Sequence, residues 1–125
     1  MLSFYVEIKS GLPAYEQVVY AVKKAIIGGV LTPGDQFPSV RKLSHELRIN
    51  PNTAHKVVAA LVAEGLLEVK PGIGTIVSAA PEATSKQRDQ ILGSDVERLV
   101  VEARKLGLGA DEVVDAVRSH WKRLR

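Results

Sequence analysis

Helix-breaking and helix-capping residues recur along this chain at spacings that leave three helix-length segments followed by a hairpin. Pro13 opens a pattern with apolar residues at Tyr15, Val18, Val19, Val22, Ile26 and Ile27, which Gly28-Gly29 closes. Thr32-Pro33-Gly34-Asp35 is turn chemistry. A second helix is expected from Ser39, whose hydroxyl can cap the amides ahead of Val40, Leu43 and Leu47. Asn50 is a favoured cap for a third helix, and Pro51 fits its first position, where the missing N–H costs nothing. Val57, Val58, Leu61 and Val62 give that helix an apolar face, and Gly65 ends it. Leu66-Leu67-Glu68-Val69 and Thr75-Ile76-Val77 read as strands around the loop Pro71-Gly72-Ile73-Gly74. Ahead of all this, Phe4-Tyr5-Val6-Glu7-Ile8 is a short β-rich run that reads as an edge strand.

Three helices and a hairpin in this order make a winged helix-turn-helix, mainly α with a small β-hairpin, over residues 1–78. Residues 79–85 are small, polar and proline-containing, and read as a linker. Residues 86–125 hold two more helical segments. Leu92, Val96, Leu99, Ala103 and Leu106 recur at spacings of three and four, a seam for a partner helix. Gly107 and Gly109 interrupt the pattern, and Asp111-Glu112 open the next helix with acidic groups. Its stripe is Val113, Val114, Val117, Trp121 and Leu124. One small winged domain cannot bury such a stripe, so the tail is expected to pair with a second copy as a dimerisation segment.

Charge is informative by its distribution. The net charge is only +3, but between Phe37 and Ala63 four cations (Arg41, Lys42, Arg48, Lys56) face the single anion Glu46. From Pro81 onward nine basic and eight acidic residues nearly cancel. The positive excess therefore lies beside the third helix, where a polyanion would be met. The absence of cysteine excludes disulfides, thiolate zinc sites and cysteine nucleophiles. His45, His55 and His120 are scattered with no second ligand one turn away, so no metal site is expected. No nucleophile motif, phosphate loop or carboxylate pair suggests an enzyme, and no cofactor is implied. No apolar run reaches the roughly 18–20 residues of a membrane span, and residues 1–11 lack the pattern of a secretory signal. A cytoplasmic protein is expected.

A helix-turn-helix reads DNA by laying its second helix in the major groove, with N-terminal side chains against base edges. Asn52 and Thr53 lie on the first turn of that helix, with His55 and Lys56 just beyond. Asn can pair bidentately with adenine, and Thr can hydrogen-bond a base or pack on a thymine methyl. Arg41 can reach a phosphate or a guanine edge, and free amides at Asn50 and beyond suit a phosphate. Gly72 and Gly74 would let the wing backbone approach the duplex, with Lys70 supplying charge. Taken singly, these residues also read as caps, turns and a solvated face. Their order and proximity favour double-stranded DNA as the partner over the alternative, a winged-helix protein-interaction module.

The chain also resembles the GntR family of bacterial transcription regulators. The resemblance rests on Pro13-x-Tyr15-Glu16-Gln17, Gly29-x-Leu31-x-Pro33-Gly34-Asp35 and Pro38-Ser39-Val40-Arg41-x-Leu43. It continues through Asn50-Pro51-Asn52-Thr53, Leu61-x-x-Glu64-Gly65-Leu66 and Gly72-x-Gly74. The short two-helix tail is similar to the YtrA subfamily. The resemblance implies a dimeric repressor, in many relatives of an operon encoding an ABC transporter. It also implies DNA contacts at Arg41, at the start of the third helix and at Gly72. Many relatives carry an aromatic residue after the second wing glycine, where this chain has Thr75-Ile76. A small-molecule effector is possible but unidentified. A tail of about 40 residues leaves little room for a drug-sized pocket of roughly 300–1,000 Å³ inside one chain.

Overall fold

The computed structural model describes residues 2–79 and 81–124. The chain divides into two compact units, one up to Pro81 and one from Glu82. The first holds helices α1 (Ala14–Ile27), α2 (Val40–Leu47) and α3 (Pro51–Ala63), then strands β1 (Leu67–Lys70) and β2 (Gly74–Val77). The second holds α4 (Ser85–Gln90), a π-helical turn (Ile91–Asp95), α5 (Val96–Lys105) and α6 (Ala110–Leu124).

Local chemistry sets the ends of the helices in the first unit. The Ser39 Oγ accepts from the Lys42 amide at 3.1 Å, and the Asn50 Oδ1 accepts from the Asn52 amide at 2.8 Å. Beyond α3, Gly65 takes a φ of 75°, which turns the chain sharply into the hairpin. The three helices bury one face each around a common core. Val18 and Val22 of α1, Leu43 of α2, and Ala54, Val57 and Leu61 of α3 are fully enclosed, together with Leu67 and Val77 of the hairpin. The ion pair between Lys23 and Glu64, 2.8 Å long, joins α1 to the end of α3 at the surface. β1 and β2 are antiparallel, with Leu67 opposite Val77 and Lys70 opposite Gly74. Ile76 is buried, and Thr75 beside it is half-buried.

The edge strand expected at residues 4–8 does not form. Phe4 and Val6 point inward and Tyr5 outward, so the alternation of burial is real, but no ladder accompanies it. Phe4 stacks on Phe37 with ring centroids 5.8 Å apart. The backbone that follows is held by a side chain: Gln17 accepts from the Lys9 amide at 2.8 Å and donates to the Lys9 and Leu12 carbonyls at 2.7 and 3.0 Å. The free edge of β2 is instead met by residues 34–37. The Gly34 amide donates to the Val77 carbonyl at 2.8 Å, the Val77 amide to the Asp35 carbonyl at 2.9 Å, and the Phe37 amide to the Thr75 carbonyl at 2.8 Å.

The connection between α2 and α3 is closed by reciprocal bonds. The Ile49 amide donates to the Ser44 carbonyl at 3.1 Å, while the Ser44 hydroxyl donates to the Ile49 carbonyl at 2.6 Å. Between them Arg48 adopts a φ of 54°, unique among described non-glycine residues. That conformation costs roughly 1–2 kcal/mol for a residue with a Cβ, while glycine gives back about 0.4–1 kcal/mol through unfolded-chain entropy. Arg48→Gly is therefore expected to raise the unfolding free energy by about 0.5–1 kcal/mol in urea titrations. A loss of stability would show that the arginine side chain holds the turn.

In the second unit, Thr84 and Gln87 form a reciprocal capping box at 3.1 and 2.9 Å that starts α4. The π turn around Gly93 is spanned by Gln90, which donates to the Ser94 hydroxyl at 2.7 Å and to Asp95 at 3.1 Å. α5 ends in a Schellman motif. The Leu108 amide bonds the Ala103 carbonyl at 2.9 Å, the Gly107 amide bonds the Arg104 carbonyl at 3.1 Å, and Gly107 has a φ of 77°. No helix among the described residues is long and apolar enough to cross a membrane.

Candidate nucleic-acid interface

The exposed side of α2 and the start of α3 enclose an open cleft of about 830 Å³. Ser39, Arg41, Lys42, His45, Pro51 and His55 contribute to its walls. Of the residues expected at the site, this cleft brings together Ser39, Arg41 and His55. Asn52 and Lys56 are exposed on α3, outside the cleft, and Thr53 is half-buried beside them. Ala54 is fully buried and belongs to the core. Lys42, read above only as part of the positive excess, and His45, read above only as a scattered histidine, also line the cleft. Helical spacing places His45 one turn from Arg41 and Lys42, and that was the available signal.

The helix terminus is less open to an anion than its sequence suggests. Pro51 has no N–H, and the Asn52 amide is spent on the Asn50 side chain. The Ala54 amide bonds the Asn50 carbonyl at 3.0 Å. At that terminus the Asn50 and Thr53 amides are left unbonded among the described residues. The expectation of several free amides is narrowed to these two, because the cap takes the Asn52 amide and Pro51 has none to offer. Asn50 keeps its Nδ2 hydrogens for an external acceptor, and Ser39 likewise acts first as a cap.

Two cations are partly committed. The Lys56 ammonium stands 5.1 Å from the centroid of the Tyr15 ring, a cation–π contact that directs it along α1. On the wing, Lys70 lies 4.0 Å from Glu68, with both side chains about half-exposed. Such an exposed pair is worth little and leaves Lys70 able to exchange partners. The wing tip is built by a turn from Lys70 to Ile73, whose amide donates to the Lys70 carbonyl at 3.0 Å. Gly72 and Gly74 have φ values of 77° and 109° and open space where a Cβ would stand, so the backbone is bare at the tip. No group of three or more His, Asp or Glu side chains among the described residues is placed to hold a metal ion.

The seam of the tail is exposed where it was expected to meet a partner. Leu92, Leu106 and Trp121 are 69%, 71% and 80% exposed, and Val96, Leu99 and Val117 are each more than two-fifths exposed. Val113 is half-buried, and Ala103 is covered within its own chain. Between α5 and α6 runs an apolar groove of about 690 Å³, lined by Val96, Leu99, Ala103, Val113 and Val117 among others. The tail thus holds more open volume in one chain than its length led us to expect.

Comparison with known proteins agrees with this architecture. The model of the bacterial regulatory proteins of the gntR family matches residues 14–77, about half of the chain. The HTH-type transcriptional repressor YtrA of Bacillus subtilis is 29% identical over 109 residues, covering 86% of this chain and 84% of its own. The structure of a transcriptional antiterminator from Listeria monocytogenes shares the fold, with a TM-score of 0.83 at 24% identity, covering 97% of this chain and 91% of its own. AraR(DBD), crystallised in complex with operator ORR3, superimposes with a TM-score of 0.51 at 28% identity over 59% of this chain and 89% of its own. This chain is a DNA-binding transcription regulator of the GntR family, of the YtrA-like kind in which a winged helix-turn-helix precedes a short helical tail.

Proposed function

We propose that the protein is a homodimeric repressor that occupies an inverted-repeat operator in the cytoplasm and blocks transcription of a transporter-type operon. The observation that carries the reading is the cleft of Arg41, Lys42, His45 and His55 at the start of α3, beside exposed Asn52. Arg41, Asn52, Thr53 and His55 meet base edges in the major groove, while Ser39, Asn50, Lys56 and Lys70 meet phosphates and Gly72 brings the wing backbone close. Two copies joined through the tail present two α3 helices to half-sites about 34 Å apart, or a multiple of that. The B. subtilis relative is a transcriptional repressor, and AraR(DBD) in complex with operator ORR3 supplies a precedent for operator binding by a domain of similar fold. An effector, if one acts, has the tail groove or its paired counterpart as the available apolar site.

Selection of duplexes from a random library, followed by anisotropy titration at several salt concentrations, tests this. The expected winner is an inverted repeat whose affinity falls steeply with added salt. Arg41→Ala and Asn52→Ala are each expected to weaken it by about tenfold or more, from the roughly 1–3 kcal/mol of a good base contact. Unchanged affinity in both variants, with the dimer intact, would place the contact surface elsewhere.

A further inference from the structure

Two of the four basic side chains in the cleft between α2 and α3 belong to the residue type that changes its charge near neutral pH. Arg41, Lys42, His45 and His55 line the cleft together, and no acid lines it with them. α2 carries one acid, Glu46, which follows His45 in the chain but lies outside the cleft, and α3 carries none. Lys56, the other cation of α3, stands over the Tyr15 ring, also outside the cleft. His45 and His55 are both exposed, and neither side chain is tied up in a hydrogen bond among the described residues. The core draws on neither imidazole, yet the fold brings them from two helices to one acid-free cleft.

Resting on the reading of this cleft as the DNA-facing side, we propose that His45 is a further DNA-contacting residue, seated on a backbone phosphate. His45 and His55 then meet the operator as imidazolium cations, so that binding takes up protons. His45 lies one turn along α2 from Arg41, on the same helical face, so a phosphate reached by one is offered to both. Phosphate oxygens and the N7 and O6 atoms of guanine only accept hydrogen bonds. A neutral imidazole has one donor for them, and the charged form has two. The negative potential of the duplex favours the charged form further. A bound imidazole therefore keeps its proton to higher pH than a free one. Its contribution to affinity is complete below the free titration and is lost as pH rises to the bound one. An ordinary imidazole titrates at about pH 6.5, which puts the loss between roughly pH 6 and pH 8. Arginine and lysine stay charged throughout that range, so the affinity that remains at high pH is theirs.

The test uses the full-length protein on its selected operator, titrated at constant ionic strength. If each contact raises an imidazole's affinity for its proton about tenfold, operator affinity should fall about sixfold per imidazole from about pH 6 to pH 8. Calorimetry in two buffers of different ionisation heat should then record uptake of about one proton per half-site near pH 7. His45→Gln should remove about half of that uptake and His45→Gln/His55→Gln nearly all of it, whereas His120→Gln, in the tail, should leave it unchanged. Salt-sensitive binding by wild type without proton uptake, or full uptake in the double variant, overturns the inference and leaves the DNA reading standing. Undiminished uptake in His45→Gln alone removes His45 from the contact. Failure to bind any selected duplex removes both the inference and the reading beneath it.

Discussion

Leu61→Ala is expected to cost the winged unit about 3 kcal/mol, from the 2–5 kcal/mol typical of truncating a buried leucine. The side chain is completely enclosed in the cluster that α1, α2 and α3 share with the hairpin. Its carbonyl also accepts from the Leu66 amide at 3.0 Å, so the residue stands where α3 hands over to the wing. A cavity there cannot be filled by rearranging a loop, because rigid elements surround it. For a unit of this size each kcal/mol moves the midpoint by roughly 4–8 °C, which predicts a fall of about 12–24 °C. Val62, its partly exposed neighbour, supplies the control: Val62→Ala should shift stability by less than about 1 kcal/mol. Circular dichroism melts with urea titrations separate the two. Equal losses at both sites would mean that the α3 face has been assigned wrongly.

What could be read from the sequence was what depends on neighbours in sequence. Ser39, Asn50-Pro51 and Gly65 set the ends of α2 and α3 by chemistry completed within a few residues, and each is found in its expected place. The third stretch against β2 was illegible for the opposite reason. Residues 32–35 do form a turn, with Thr32 bonded to Asp35 at 2.9 and 3.1 Å, yet residues 34–37 also bond a hairpin some forty positions away. At residues 4–8 alternation reported burial correctly and pairing wrongly, since a period of two records which side chains point inward and not what the backbone bonds to. The π turn at Gly93 left no periodic trace either. At the interface, residue types located the start of α3 but not the competition between capping and anion binding, which only the Asn50–Asn52 bond reveals. Net charge along a segment does not tell which side chains share a helical face, so Lys42 and His45 join Arg41 only once the turns of α2 are placed.

Leu99→Lys is expected to have the largest effect on function. The tail shows Leu99, Val96, Val100, Val114 and Val117 to solvent around one groove, an apolar surface that a second copy would bury. A lysine at its centre would have to carry an ammonium into the joined faces without a partner. Under the proposed pairing, the variant should therefore sediment as a monomer at concentrations where wild type is expected to sediment as a dimer. Operator affinity should then fall by about 10²–10⁴-fold, because the second half-site is no longer engaged at the high effective concentration that tethering provides. Affinity for an isolated half-site should stay the same, since the residues proposed for recognition all belong to the unit that ends at Pro81 and no core residue of that unit is touched. The comparison of full and half operators is what makes the test decisive. A monomeric Leu99→Lys protein that binds the full operator as tightly as wild type would show that one copy suffices. A variant that stays dimeric would place the subunit contact outside the α5–α6 groove.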